Sequence, residues 1–113
     1  MQTILALETS CDESAVAVVQ SDKGVISLLA SEIASQVDEH STWGGVVPEI
    51  ASRMHLEAIP HLLRKALEVS RFRIENLDAI AATVTPGLAG SLLMGSITAR
   101  TLAALYKLPF LGV

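Results

Sequence analysis

The residues with the clearest chemical potential lie close to the N-terminus. Glu8-Thr9-Ser10-Cys11-Asp12-Glu13-Ser14 puts three carboxylates and three hydroxyls into seven positions between two apolar runs. Clustered carboxylates repel, so folding gains nothing from their closeness unless a cation or a donor sits among them. Turn N–H groups and hydroxyls can hold phosphate oxygens, and carboxylates can hold the accompanying magnesium. The alternative is a solvated turn, since Ser, Thr and Asp are ordinary turn formers. The turn by itself leaves both readings open.

Two further segments have unusual composition. Gly44-Gly45-Val46-Val47-Pro48-Glu49-Ile50-Ala51-Ser52-Arg53-Met54-His55 feeds a glycine pair into a helix start. Glu49 and Arg53 stand i,i+4 and are placed to pair. His55 reads as a packed histidine between two apolar stripes. Thr83 to Ser91 is a glycine-rich strand-to-helix turn that can offer N–H groups to an anion. It lacks the lysine and spacing of a Walker loop, and its glycines equally suit close packing. His40, His55 and His61 have no metal-ligand spacing, so no metal site is expected from the residues present. Cys11 reads as a small packing residue, because flanking carboxylates deactivate a thiol.

The elements that must position these residues follow from hydrophobic patterning. Gln2–Leu7, Ala15–Gln20 and Val25–Ala34 read as strands joined by short turns, an antiparallel meander. Ser35–Gly45 is a polar loop. A helix is predicted from Pro48 to about Ser70, since proline suits the first turn. Its apolar residues form two stripes, Val47, Ile50, Met54, Ala58, Leu62, Ala66 and Val69, and Leu56, Ile59, Leu63 and Leu67. Pro60 is expected to kink it. Leu77–Val84 reads as a strand covered on both faces, Gly90–Tyr106 as a small-residue helix, and Phe110–Val113 as a last strand. The order β-β-β-α-β-α-β is that of an α/β, ribonuclease-H-like lobe, incomplete at its end.

Composition sets the outer limits. The 113 residues suffice for one domain, spanning the whole of 1–113. Half are hydrophobic and only 4% aromatic, so the core is aliphatic and apolar surface remains for a partner. The net charge of −4 excludes a dedicated nucleic-acid-binding domain. The one basic run, Arg64, Lys65, Arg71 and Arg73, suits a solvated helix end. A single cysteine rules out an internal disulfide, and no signal peptide or bilayer-spanning stretch is visible, so a cytoplasmic protein is expected.

In sequence order, the three segments resemble one family, the TsaD/Gcp/Kae proteins, formerly labelled O-sialoglycoprotein endopeptidases. Glu8–Ser14 matches its E-T-S-C-D-[DE]-[ST] start, Gly44–His55 its G-G-V-V-P-E-x-A-S-R-x-H, and Pro86–Gly95 its P-G-L-x-G-S-L-x-x-G. Thr85 departs from the family's usual glycine and stiffens that turn. The resemblance covers the whole chain. It implies an actin-like (ASKHA) two-lobed enzyme that moves a threonylcarbamoyl group from threonylcarbamoyl-AMP to N6 of the adenosine beside the anticodon of tRNA.

It also implies iron or zinc bound by a His-x-x-x-His pair expected just beyond Val113, with nucleotide-binding segments further on. On that reading the chain is an N-terminal fragment, inactive alone, without metal ligands of its own. By resemblance, Asp12 and Glu13 are the catalytic-side acids, and Thr9 and Ser10 lie on the phosphate side of the turn. Glu8 stands where actin-like kinases keep a magnesium-linked aspartate. The implied partners are tRNA, TsaB-like and TsaE-like proteins, with dimerisation through the Val47–Val69 and Gly90–Tyr106 helices and no membrane. The competing readings are a helix-mediated partner-binding module and the older metalloprotease label. The protease reading lacks an activated nucleophile and a complete zinc site.

Overall fold

The computed structural model describes residues 1–113. Strands β1 (Gln2–Glu8), β2 (Glu13–Asp22) and β3 (Val25–Ser35) form the expected meander. Both pairings are antiparallel, with Leu5 opposite Val18 and Ala17 opposite Ser31. The β2–β3 connection turns on Lys23 and Gly24, both at positive φ (51° and 80°), the left-handed pair that tight hairpins require.

Helix α2 (Pro48–Ser70) then leads through a single 3₁₀ turn, Ile74–Asn76, to β4 (Ala79–Ala82). Helix α3 (Ala89–Tyr106) leads to β5 (Phe110–Gly112). The two later strands run parallel to β1 and complete one sheet in the order β3-β2-β1-β4-β5. The Asp78 carboxylate takes the Thr3 N–H at 2.7 Å and so pins the start of β4 to β1.

Alternation decides which face is buried. Thr3, Leu5, Leu7, Ser14, Val16 and Val18 point to one side of the sheet and are buried. There α2 lies over β2 and β3, and α3 lies over β1, β4 and β5. Leu5, Leu7, Val16, Val18, Ile59, Leu77 and Ile80 are the large members of the core. Burying each such side chain contributes about 1.5–3 kcal/mol. The opposite face carries small residues. Ala6, Glu8, Ala15, Ala17, Ala81 and Val113 line an apolar trough of ≈ 190 Å³ there.

The structure corrects the sequence reading in three places. The loop after β3 contains a short helix, α1 (Val37–Ser41), with Gln36 and His40 buried. β4 spans only Ala79–Ala82, because Leu77 closes the 3₁₀ turn and Asp78 is used as a side-chain anchor. α2 is continuous to Ser70 as predicted, with Pro60 inside it and exposed. Its most buried seam, Ala51, His55, Ile59 and Ala66, runs between the two predicted stripes. A histidine at the seam's centre hid it from a reading that counted apolar residues alone.

Candidate functional site

The acidic turn links β1 to β2 at the end of the sheet nearest the start of α2. Its conformation is fixed residue by residue from four directions. Glu8 closes it locally, its Oε1 accepting the Ser10 N–H at 2.7 Å. Thr9 is fully buried against α3: its hydroxyl donates to the Ser91 carbonyl at 2.6 Å and accepts the Gly95 N–H at 3.0 Å. The Ser10 carbonyl accepts the Leu88 N–H at 2.8 Å, just ahead of the same helix. The Asp12 carbonyl accepts the Gln36 N–H at 2.9 Å. From α2, His55 Nε2 reaches the Cys11 carbonyl at 2.8 Å, and its Nδ1 meets Ser14 Oγ at 2.6 Å.

This geometry explains the glycines of the third segment. A Cβ on Gly87 would lie 2.5 Å from the Ser10 carbonyl oxygen, and one on Gly95 would lie 2.6 Å from Thr9 Oγ1. One on Gly90 would lie 2.7 Å from Ser52 Oγ of α2. Close packing of α3 on the turn and on α2 is therefore what removes the side chains. Pro86, at the head of this segment, follows a cis peptide bond from Thr85.

The predicted residues sort by exposure. Asp12 is half-buried and lines a polar cleft of ≈ 410 Å³ with Val37, His40, Ser41, Gly44, Gly45 and Val46. Glu13 is exposed at the first position of β2. Neither carboxylate has a cationic partner, since the ion pairs are Lys65–Glu32 and Arg73–Glu75. Glu8 and Ser10 are half-buried. The Thr9 hydroxyl, expected on the phosphate side, has both its donor and acceptor roles filled by α3.

Other expectations resolve differently. Glu49 and Arg53 do not pair. Cys11 is exposed rather than packed, since its carbonyl, not its thiol, is what the fold holds. The basic run at the end of α2 is partly neutralised by the two ion pairs. Ser14 and His55 have the contact of a nucleophilic dyad, but both are fully buried and no substrate can reach them.

His55 is the site residue that sequence reasoning undervalued. Burial pushes its pKa below the ordinary 6.5, against the opposing pull of the Cys11 carbonyl, Glu8 and Asp12. The ring is therefore neutral at physiological pH. Gln36 and His40 were missed altogether. No local signal marks them, because their partners Val47, Ala51 and His55 lie further along the chain.

No group of three His, Cys, Asp or Glu side chains is arranged to hold a metal ion. His40 and His55 spend both ring nitrogens inside the chain. These residues do not fit the iron or zinc that the resemblance implied, and no chemical step below is routed through a metal.

Comparison with known proteins identifies what this turn belongs to. The family model for TsaD, tRNA N6-adenosine threonylcarbamoyltransferase, matches residues 27–113. The transferase of that name from Prochlorococcus marinus (strain NATL2A) is 66% identical over 113 residues, which is 100% of this chain and 32% of that protein. Its counterpart from Synechococcus sp. (strain WH7803) is 62% identical with the same coverage. Among solved structures, YeaZ from Pseudomonas aeruginosa superposes with a TM-score of 0.73 at 23% identity, covering 100% of this chain and 43% of that one. T. thermophilus RuvC, solved in complex with a Holliday junction substrate, gives 0.61 at 14% identity, covering 99% and 65%. At those identities the likeness shows the fold, a mixed α/β ribonuclease-H-like lobe. The chain belongs to the TsaD family of tRNA N6-adenosine threonylcarbamoyltransferases and spans about a third of the length of these curated relatives, 32%.

Proposed function

We propose that this chain is the N-terminal part of an enzyme that transfers threonylcarbamoyl from threonylcarbamoyl-AMP to N6 of the adenosine beside the tRNA anticodon. The observation that carries this reading is a clamped turn whose Asp12 and Glu13 carboxylates have no cationic partner, with Asp12 lining a polar cleft and Glu13 exposed beside it. In the transfer, the exocyclic amine attacks the carbamoyl carbonyl. A C–N bond forms, the C–O bond to the phosphate breaks, AMP leaves, and the amine loses a proton. Asp12 and Glu13 orient the acyl donor or take up that proton. Glu8 and Ser10 face the donor's phosphate side, and Thr9 sets the turn by anchoring it to α3. The reaction places the protein in the cytoplasm with its tRNA, and no helix is long and apolar enough to cross a membrane.

The test uses the longer protein that contains this chain, with tRNA, ATP, threonine, bicarbonate and its TsaB-like and TsaE-like partners. Modified nucleoside is measured by mass spectrometry. Asp12→Asn is expected to lower the rate about a hundredfold, the ordinary contribution of a positioned acid or base. No product from the unmodified protein, or an unchanged rate in the variant, refutes the proposal.

A second reading concerns the helices. Leu93, Ile97 and Leu105 on α3 and Leu56 on α2 are exposed, which favours pairing with a TsaB-like protein or a second copy. Light scattering at high concentration that shows only monomer, with and without that partner, removes it.

A further inference from the structure

Behind the acidic turn runs a chain of buried side-chain hydrogen bonds in which every donor can be assigned. At one end the Val47 N–H donates to His40 Nδ1 at 3.0 Å. That nitrogen therefore carries a lone pair, and His40 Nε2–H donates to Gln36 Oε1 at 2.7 Å. The Gln36 amide then donates to the Ala51 carbonyl and to His55 Nδ1, both at 3.3 Å. Ser14 Oγ–H takes the single lone pair of that Nδ1 at 2.6 Å, and the longer Gln36 contact shares it only weakly. His55 Nε2–H donates to the Cys11 carbonyl at 2.8 Å. The opposite tautomer of either imidazole would set a lone pair against a lone pair and an N–H against an N–H.

Gln36, His40, His55 and Ser14 are all at most 3% exposed, which shields the bonds among them from water, while the end bonds to Val47 and Cys11 are partly buried. The chain starts at the residue before α2 and ends in the turn. On the way it fixes both walls of the Asp12 cleft. His40 clasps the loop that runs from α1 to Val47 and supplies Gly44, Gly45 and Val46. The His55 ring holds the Cys11 carbonyl, and the Gln36 side chain packs that ring while its backbone N–H holds the Asp12 carbonyl.

We infer that His40, Gln36 and His55 are positioning residues, which hold Asp12 and Glu13 and the facing glycine loop at the spacing that transfer requires. Their ring nitrogens and amide are bonded within the chain, so they act through the backbone of the turn and of the glycine loop. This rests on the transferase reading above and adds to it the residues that preorganise the site.

The test is Gln36→Glu in the same longer protein. The substitution keeps the shape and an acceptor for His40 but replaces the amide donors facing Ala51 and His55 with a carboxylate oxygen. Imidazole ¹⁵N shifts should show both histidines as neutral Nε2–H tautomers in the unmodified protein, and a changed His55 in the variant. The expected kinetic result is a kcat lowered about tenfold to a hundredfold at temperatures where both proteins are fully folded, as small displacements of reacting groups cause, with the KM for tRNA little changed and a lower melting temperature from the buried carboxylate.

An altered His55 signal with unchanged kcat overturns the inference. So does an Nδ1–H tautomer at His55 in the unmodified protein. A loss of activity that only tracks a lowered melting temperature also overturns it, because the role is then structural. Should the variant unfold, Gln36→Met read by the same three measurements decides the matter. Asp12→Asn runs alongside: if it leaves the rate unchanged, the transferase reading fails instead.

Discussion

Gly95→Ala isolates the contact that locks the acidic turn to α3. In an ordinary helix interior this substitution is favourable by about 1 kcal/mol, because alanine loses less backbone entropy than glycine. Here the new Cβ would stand 2.6 Å from Thr9 Oγ1 and 3.3 Å from Thr9 Cγ2. Thr9 is 1% exposed and its hydroxyl is held at both ends, so it cannot swing into solvent. Displacing it strands a buried hydroxyl and its partners at about 1–3 kcal/mol. Shifting α3 instead costs about 1–3 kcal/mol of overpacking. Against the propensity gain, the net expectation is destabilisation of about 1 kcal/mol. With a urea m-value of about 1.5 kcal/mol/M, the unfolding midpoint should fall by about 0.7 M. A double-mutant cycle sharpens the test. In a Thr9→Ala background the clash is gone, so Gly95→Ala should cost less than 1 kcal/mol or stabilise, on the order of its propensity. A Gly95→Ala protein as stable as the unmodified chain, or strict additivity in the cycle, refutes the packing argument.

Three shorter predictions follow from the same geometry. Gly87→Ala and Gly90→Ala should differ, although both add a methyl at a close contact. The first meets the Ser10 backbone, which cannot rotate away, and should cost about 1–3 kcal/mol. The second meets the exposed end of Ser52, which can turn aside, and should change the urea midpoint little. Equal midpoints for the two would contradict this. Stability should also depend on pH through His55. Burial lowers its pKa in the fold, so the unfolded chain binds the proton more tightly. The contribution is complete above the unfolded value of 6.5 and is lost as pH falls through the lowered folded pKa. Urea midpoints compared at pH 7.5 and in mildly acidic buffer should show that loss, and His55→Asn should flatten it. A midpoint that rises on acidification counts against a neutral buried ring.

The order of strands and helices was legible because alternation persists over β2 and a helical period over α2, while α3 showed itself by its run of small apolar residues. Pro48 marked the start of α2 for a local reason, its missing N–H at a position where none is bonded. What escaped was tertiary. Nothing in Ser35–Gly45 announces that Gln36 and His40 are buried, since their partners lie on α2 and ahead of it. The seam of α2 was misplaced because its most buried position is a histidine, whose burial is acceptable only once Ser14, Gln36 and the Cys11 carbonyl satisfy both nitrogens. The acidic turn was visible as chemistry but not as structure. Apart from the local Glu8 bond, its anchors lie 24 to 86 residues away along the chain.

That separation gives the three motifs one physical cause. Glu8, Asp12 and Glu13 lie within six positions, and no ion pair relieves any of them. Their repulsion would favour an open, solvated turn if local forces alone decided. The fold opposes this with donors aimed at the backbone carbonyls of Ser10, Cys11 and Asp12, and with Thr9 buried in α3. Each donor comes from a segment that is otherwise difficult to explain. His55 puts a polar ring at the centre of an apolar seam, and Gly87 and Gly95 give up side chains so that α3 can approach. Removing the repulsion should therefore stabilise the chain while damaging the proposed site. Asp12→Asn is the case to try, since the amide keeps the shape of the side chain and deletes one charge. Its urea midpoint should match or exceed that of the unmodified chain, the usual direction of a stability–activity trade-off. A clear fall in midpoint would mean that the carboxylate is a structural ligand of the turn, and that the clamp was built to hold something other than crowded charge.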